Sequence, residues 1–370
     1  MQVSKQTLKD LEFPVVLAEI IQYIYTEKVA ERTKNLVPYS NRNELLIDLH
    51  TTSEYLSTLE SGNSLPFSEY FILDEYLKRL SIENYYLPAE EFFKIKSNTL
   101  QIKEIKKYTR NFIEYVPYLH AKTEQIIYEK EIVKIIDQVF NKFGEIKDDA
   151  SPELRIVRQE IRAISSRITE LFNKSMSYHS DVLDEIRESV VGNRRVLAVK
   201  SALRKRVKGQ FLGTSKTGSI SYIEPESVLN PRRQLDELRE EEKHLIIQIL
   251  LKLTSEIAIY QPLIEEYQAF LEYLDLTQAK AKYAQNIQAI LPTLKEELQL
   301  QLIDAYHPVL YLNNLRKERR TIPQTLSLTK KQRIIIISGP NAGGKSITLK
   351  TVGLNQLMIQ SGILIPVHPK

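Results

Sequence analysis

The sequence contains no cysteine and no tryptophan, and only 11 of its 370 residues are glycine. The absence of cysteine excludes disulfide bonds, zinc-thiolate sites and thiol catalysis. No apolar run approaches the ~20 residues that a membrane span needs, and the first residues lack the apolar core of a signal peptide. We therefore expect a cytoplasmic protein that does not contact a membrane.

Charge and length are ordinary for a globular protein of two or three domains. The 51 basic and 47 acidic residues leave a net charge of +4, which by itself indicates no class of partner. The six histidines are scattered without the spacing of a metal site. Because glycine is scarce and apolar residues recur at helical spacing, the chain is predicted to be mainly α-helical.

The first part of the chain, residues 1–150, has the pattern of a helical core. The segments 13–33 and 42–60 carry apolar residues three and four positions apart, as amphipathic helices do. The segments 61–70 and 85–92 contain the proline, glycine and polar residues that separate helices. Nothing in this region suggests catalysis, so we interpret it as a structural platform.

Two long helices are predicted next. One runs from Ser151-Pro152 to about Ser189, with a break near residues 175–180 as an alternative, and one runs from Asn230-Pro231 to about Tyr260. Steps of three and four residues produce a coiled-coil seam in the first helix; its members are Leu154, Val157, Ile161, Ile164, Ile168 and Leu171. At 1.5 Å per residue each helix is roughly 45–55 Å long. An antiparallel lever arm is the favoured interpretation, and two ordinary core helices are the alternative.

The segment between these helices, residues 192–223, has β-strand composition and turn glycines. It contains no acidic residue but eight basic ones: Arg194, Arg195, Lys200, Arg204, Lys205, Arg206, Lys208 and Lys216. A one-signed cluster of this kind suits the phosphates of a nucleic acid, whereas a solvated surface is the alternative. Aromatic residues are few here, so backbone contact is favoured over base stacking.

Near its end the chain contains "IIIISGPNAGGKS", an apolar run that we predict to be a buried strand at Ile334–Ile337, followed by a Walker A pattern. In such a loop, backbone amides and the lysine hold phosphates, the serine binds Mg²⁺ and the next helix directs its dipole at the same site. The predicted ATP site comprises Gly339, Pro340, Asn341, Ala342, Gly343, Gly344, Lys345 and Ser346, with Ser346 as the magnesium ligand.

Hydrolysis by a P-loop protein also requires an acidic residue that orients magnesium and water. No aspartate or glutamate follows Lys345, and Asp304 upstream is better explained as a strand-end residue. We therefore expect that the nucleotide domain is incomplete in this sequence, that nucleotide binding is weak, and that the chain does not turn over ATP.

The motif "GPNAGGKSITLKTVGL" resembles the P-loop and following helix of the MutS superfamily, and its continuation is most similar to the type 2 branch. The segment around Tyr222-Ile223-Glu224-Pro225 resembles the clamp of that branch. The stretches 274–284 and 305–310 resemble its returning lever and its His-Pro segment. The resemblance spans nearly the whole chain, with specific motifs in the last 40 residues and around the clamp.

The resemblance implies a dimeric ATPase whose lever arms carry a DNA-gripping clamp, without mismatch reading and with a nuclease-like domain in many members. It places Ile322 against adenine, although Thr321 replaces an aromatic residue often found beside it. The implied function is ATP-dependent binding of branched or double-stranded DNA in recombination control. The alternatives are a translation quality-control ATPase that acts on ribosomes or ribosomal RNA, a non-hydrolysing nucleic-acid-binding fragment and, least favoured, a structural chromosome-maintenance ATPase.

The predicted fold is mainly α, with a helical core, long antiparallel lever arms, a small β-rich clamp and the start of an α/β P-loop domain. The expected boundaries are a core at 1–150, an outgoing lever at 151–190, a basic clamp at 191–230, a returning lever and core at 231–290, and part of an ATPase domain at 291–370.

Overall fold

The computed structural model describes residues 3–80, 82–297, 299–338 and 344–367. The chain divides into two compact units. Unit 1 contains Met1–Lys78, Glu91–Val133 and Ile259–Lys370, and unit 2 contains Arg79–Glu90 and Lys134–Ala258. The mainly helical composition expected from the sequence is confirmed, together with a small antiparallel sheet.

The described residues form the following elements in chain order. The helices are α1 (Lys5–Asp10), α2 (Phe13–Ile21), α3 (Glu27–Lys34), α4 (Arg42–Glu60), α5 (Asp74–Arg79), α6 (Ala89–Asn111), α7 (Pro117–Glu124), α8 (Lys130–Val139), α9 (Pro152–Tyr178), α10 (Glu226–Ala258), α11 (Gln261–Asn286), α12 (Pro308–Leu315) and α13 (Lys345–Gln360), with a 3₁₀ helix η1 (Ser201–Arg206). The strands are β1 (Leu183–Val191), β2 (Arg194–Lys200), β3 (Gly209–Thr214), β4 (Ile220–Pro225), β5 (Leu300–Ala305) and β6 (Gln324–Leu328).

Unit 1 is built around α11, whose side chains are buried along most of its length. The Asp275 carboxylate accepts hydrogen bonds from the backbone N–H groups of Tyr25 and Thr26, at 2.9 and 3.2 Å, and so anchors the chain between α2 and α3. On the same helix, Lys280 forms a buried ion pair with Asp48 of α4. Polar bonds of this kind fix the register of the packed helices, because a buried polar group without a partner is costly.

In unit 2, α9 and α10 lie side by side and run in opposite directions. Arg158, near the start of α9, binds Glu242 in the middle of α10 with a 2.7 Å contact. Near the other end of the pair, Phe172 of α9 lies in one buried cluster with Val228 and Leu235 of α10. At 1.5 Å per residue the two helices are about 40 and 50 Å long, and the predicted antiparallel pair is confirmed.

The start of α9 is the one predicted from Ser151 and Pro152. The Ser151 hydroxyl accepts a hydrogen bond from the Leu154 N–H at 3.1 Å, which satisfies a free donor of the first turn. The predicted seam faces α10: Leu154, Val157 and Ile168 are buried, and the other three seam residues are partly buried.

A four-stranded antiparallel sheet in the order β1-β2-β4-β3 joins the end of α9 to the start of α10. We call residues 183–225, which include these strands and η1, the tip sheet. Leu197 pairs with Ile223, and Val199 pairs with Leu183 and Ser221. These apolar residues share a face and pack against the two long helices. Burial of this face determines the register, because a slip of one residue would expose it.

Two predicted helix boundaries in unit 2 were wrong. Helix α9 ends at Tyr178, within the alternative break at residues 175–180, and does not continue to Ser189, because residues 183–191 pair with β2 as an edge strand. Helix α10 begins at Glu226 instead of Pro231, since the Glu226 N–H bonds the Lys208 carbonyl at 3.0 Å directly after β4. Pro231 therefore lies inside the helix, where it is buried.

The predicted buried strand at Ile334–Ile337 was also wrong. Residues 334–337 have no regular secondary structure and are exposed, with 83% of Ile334 and 87% of Ile336 accessible. A buried parallel strand needs neighbours on both sides, and within the described residues no strand pairs with this segment. The nearby β5 and β6 instead pair with each other. Asp304 lies next to the end of β5, as the sequence suggested, and its carboxylate accepts a 3.0 Å bond from Thr325.

Candidate nucleic-acid and nucleotide sites

The net positive charge of the chain is concentrated in the tip sheet. Residues 183–225 contain nine arginines and lysines against four acids, whereas the rest of the sequence contains 42 basic and 43 acidic residues. An excess charge of +5 on about 40 residues produces a local positive potential, while the remainder of the chain is close to neutral.

Three of the eight predicted phosphate-binding residues are paired with carboxylates. Arg194 binds Glu224 at 3.1 Å, Arg195 binds Glu188 at 2.5 Å and Arg206 binds Asp181 at 3.5 Å. These acids come from just outside the acid-free segment, and strand pairing brings them back to it. Part of the apparent surplus charge is therefore used to hold the sheet together.

The other five predicted residues have no carboxylate within 4 Å among the residues that the structure describes; they are Lys200, Arg204, Lys205, Lys208 and Lys216. All five are exposed. The Ser201 N–H bonds the Ser219 carbonyl at 2.9 Å, which brings the end of β2 beside the turn between β3 and β4. Lys200 and Lys216 consequently lie at the same end of the sheet.

Some contacts of the tip sheet could not be found by sequence reasoning. The Glu224 side chain is completely buried and is shared between Arg194 of β2 and Arg232 of α10, at 3.1 and 3.4 Å. The Arg204 guanidinium lies 4.2 Å from the ring centre of Phe211. Gly209 is required at its position because a Cβ atom there would lie 2.1 Å from the Glu224 carbonyl oxygen.

Most of the predicted phosphate loop lies outside the described residues: Gly339, Pro340, Asn341, Ala342 and Gly343. Gly344 precedes α13 with φ +87°, a conformation that glycine adopts without strain. Lys345 and Ser346 then occupy the first turn of this 16-residue helix, with Lys345 half-buried and Ser346 exposed. The positive end of the helix dipole is therefore located at these two residues.

Ile322 is two residues from Gln324, which contacts α13 directly. Its side chain is 76% exposed. Two residues later, the Gln324 Oε1 accepts a 2.9 Å hydrogen bond from the Thr348 hydroxyl in the first turn of α13. The structure thus places the segment of Ile322 beside the beginning of the helix that carries Lys345.

His307 has a structural role at the start of α12. Its Nδ1 accepts a hydrogen bond from the Leu310 N–H at 3.4 Å and caps α12. Burial lowers the pKa of His307, and its Nε2 is buried without a partner among the described residues. A neutral imidazole fits this position, because a charged ring would lose its hydration there.

In the part of the chain that the structure describes, no group of three or more acidic or histidine side chains is arranged to hold a metal ion. None of the helices described there is long and apolar enough to cross a bilayer.

Comparison with known proteins agrees with the resemblance found in the sequence. The chain is 30% identical over 366 residues to the Endonuclease MutS2 of Geobacillus sp. (strain WCH70), covering 98% of this chain and 46% of that protein. The Endonuclease MutS2 of Aquifex aeolicus (strain VF5) is 29% identical over 372 residues, covering 99% of this chain and 47% of that protein. Over nearly its whole length, this chain is similar to proteins named Endonuclease MutS2.

The similarity covers only part of each of these MutS2 proteins. A third relative, the Endonuclease MutS2 of Bacillus mycoides (strain KBAB4), is 30% identical over 369 residues. The chain spans about half the length of the curated MutS2 proteins that it matches. No family model matches the sequence.

Proposed function

We propose that this chain supplies the nucleic-acid-gripping arm and part of the nucleotide site of an ATP-dependent DNA-binding protein, in which the tip sheet clamps branched or double-stranded DNA. The observation that supports this proposal best is the concentration of the positive charge excess in the tip sheet. It includes five exposed cations that have no carboxylate partner among the described residues. Cations of this kind bind phosphates independently of sequence and release counterions.

The long helix pair supports the same proposal. Two antiparallel helices joined by an apolar seam and by the Arg158–Glu242 ion pair carry the sheet at one end, where α9 ends and α10 begins. A charged module held in this way can contact the backbone of a duplex without rearrangement of the arm. In the complete protein we propose that two such arms act together as a dimer in the control of recombination.

The DNA-binding proposal predicts a loss of affinity when Lys200, Lys205 and Lys216 are replaced by glutamine. Removing three phosphate contacts lowers the slope of log K against log[salt] by about 2.7 and the affinity at moderate salt by roughly 10–100-fold. Fluorescence anisotropy with a labelled four-way junction and a labelled duplex measures both quantities.

A matched control variant carries Lys174→Gln, Lys243→Gln and Lys252→Gln, which remove three exposed cations from α9 and α10. We expect this variant to bind DNA as the unmodified chain does. Equal affinities and salt slopes for the two triple variants would contradict the proposal. Co-sedimentation with ribosomes that exceeds junction binding, and that is lost in the tip variant, would support the translation-related alternative instead.

We further propose that Lys345 and Ser346 belong to an ATP and Mg²⁺ site. They fit it because an ammonium group and a hydroxyl lie in the first turn of α13, directly after a glycine with positive φ. Lysine neutralises the β- and γ-phosphates of a nucleotide, and a hydroxyl in this position binds the metal ion. The bound ion would contribute charge neutralisation of the phosphates.

Replacing Lys345 by alanine is expected to lower the affinity for a fluorescent ATP analogue at least about tenfold, because a charge-assisted contact to phosphate is lost. Lys350→Ala is the control: it lies on the same helix and pairs with Glu12 at 2.7 Å. Titration of the 370-residue chain in the presence of Mg²⁺ measures both variants. If Lys345→Ala bound the analogue as tightly as Lys350→Ala, the assignment of the site would be wrong.

A further inference from the structure

A surface cavity of about 610 Å³ lies between η1, β3 and the first turn of α10. Its volume falls within the range of ~300–1,000 Å³ that is typical of small-molecule sites. Arg204 and Lys205 line it from η1, Phe211 lines it from β3, and Glu226 and Leu229 line it from α10. Lys200 and Lys216, which are also proposed to contact phosphates, do not line this cavity.

The walls of this cavity are chemically mixed. Lys208 joins Arg204 and Lys205 as the cationic part, whereas Val207 and Ile223 add apolar surface. A cavity for a phosphate alone would need neither apolar walls nor the acceptor that Glu226 supplies. The combination matches a ligand with a phosphate, an apolar planar part and hydrogen-bond donors, which is the chemistry of a nucleotide.

Phe211 provides the planar surface. It remains 41% exposed in an edge strand, although an exposed phenylalanine buries little apolar area and adds little to the sheet. The Arg204 guanidinium already lies 4.2 Å from its ring centre, so the ring supports the guanidinium in a stacked arrangement. Arginine planes and aromatic rings are the surfaces on which unpaired bases stack.

We propose that this cavity binds one unpaired nucleotide of a DNA substrate, with its base stacked on the Arg204–Phe211 pair and its phosphate bound by Lys205 and Lys208. The inference rests on the proposed DNA-binding function and adds a specific role: the tip sheet distinguishes DNA that contains an unpaired nucleotide from fully paired duplex. A base inside an intact duplex cannot reach the cavity, because it is stacked between its neighbours.

The test compares a blunt duplex with the same duplex carrying a short single-stranded gap, by fluorescence anisotropy with the 370-residue chain. We expect the unmodified chain to bind the gapped duplex about tenfold more tightly, since one stacked base contributes a factor of this order. Phe211→Leu is expected to remove this preference while it leaves the affinity for blunt duplex within about twofold. Phe211→Tyr keeps an aromatic ring and is expected to retain the preference.

Phe143→Leu is the matched control. Phe143 is also an exposed phenylalanine with a cation over its ring, Lys142 at 4.9 Å, but it lies outside the tip sheet. We expect this variant to keep the preference for gapped DNA. A preference that survives in Phe211→Leu, or equal binding of the two DNAs by the unmodified chain, would overturn the inference and leave the DNA-binding proposal intact. Failure of the chain to bind either DNA would overturn both.

Discussion

Replacing Lys280 by methionine is expected to lower the free energy of unfolding of unit 1 by about 3–5 kcal/mol. Lys280 is completely buried on α11, and its Nζ lies 2.7 Å from Asp48 Oδ2 on α4 and 3.2 Å from the Ser361 carbonyl oxygen. The substitution leaves the Asp48 charge buried without a counterion. An unpaired buried charge costs far more than the loss of packing at this position.

Two further variants distinguish the effect of the lost charge on stability from the effect of the lost packing. Adding Asp48→Leu to Lys280→Met is expected to recover most of the lost stability, because an apolar pair can replace a buried ion pair at little cost. Lys34→Met removes an exposed partner of Glu31 and is expected to cost less than ~1 kcal/mol. Urea unfolding followed by circular dichroism measures the changes, and amide hydrogen exchange in α11 locates them in unit 1.

The outcome also bears on the nucleotide site, since the ion pair holds the turn that follows α13. Gly362 has φ +70°, and a Cβ atom there would lie 1.9 Å from Asp48 Oδ2. Glycine therefore allows the carboxylate to approach the turn closely. A loss of stability in Lys280→Met no larger than in Lys34→Met would show that this contact does not anchor the end of the helix that begins at Lys345.

Sequence reasoning succeeded where the determinants are local. The apolar spacing of residues 42–60 predicted α4 with its observed bounds, and Ser151 with Pro152 predicted the start of α9. The composition of residues 194–200 likewise predicted β2. In each case the residues that determine the structure lie within one or two turns of each other, so a single sequence contains the information.

Sequence reasoning failed where a distant partner decides the structure. Residues 183–191 have enough charged residues to continue a helix, and only pairing with β2 makes them a strand. Ile334–Ile337 were predicted to be buried because their apolarity matches a central strand, yet the described residues provide no neighbouring strand. The unpaired charge of the tip sheet was overestimated for the same reason. Glu188 and Asp181 form ion pairs with Arg195 and Arg206 only in the folded chain.

Replacing Glu224 by glutamine is expected to destabilise the tip sheet by about 2–4 kcal/mol. Its carboxylate is completely buried and binds Arg194 on β2 and Arg232 on α10, so one side chain joins two strands of the sheet to a long helix. Glutamine preserves the shape but leaves both arginines without their counterion. The estimate lies below that for Lys280, because the Arg194 side chain is 35% exposed and water compensates part of its charge.

Glu188→Gln is the control for this prediction, because it breaks the Arg195 pair on the same sheet. That pair is exposed on both sides, so we expect a cost below ~1 kcal/mol. Hydrogen exchange of the β2 and β4 amides reports the stability of the sheet directly. If both substitutions accelerated exchange equally, Glu224 would contribute no more to the stability of the sheet than an exposed acid does. Faster exchange in Glu224→Gln alone would identify it as the residue that fixes the sheet to α10, and so fixes the position of Lys200, Arg204, Lys205, Lys208 and Lys216.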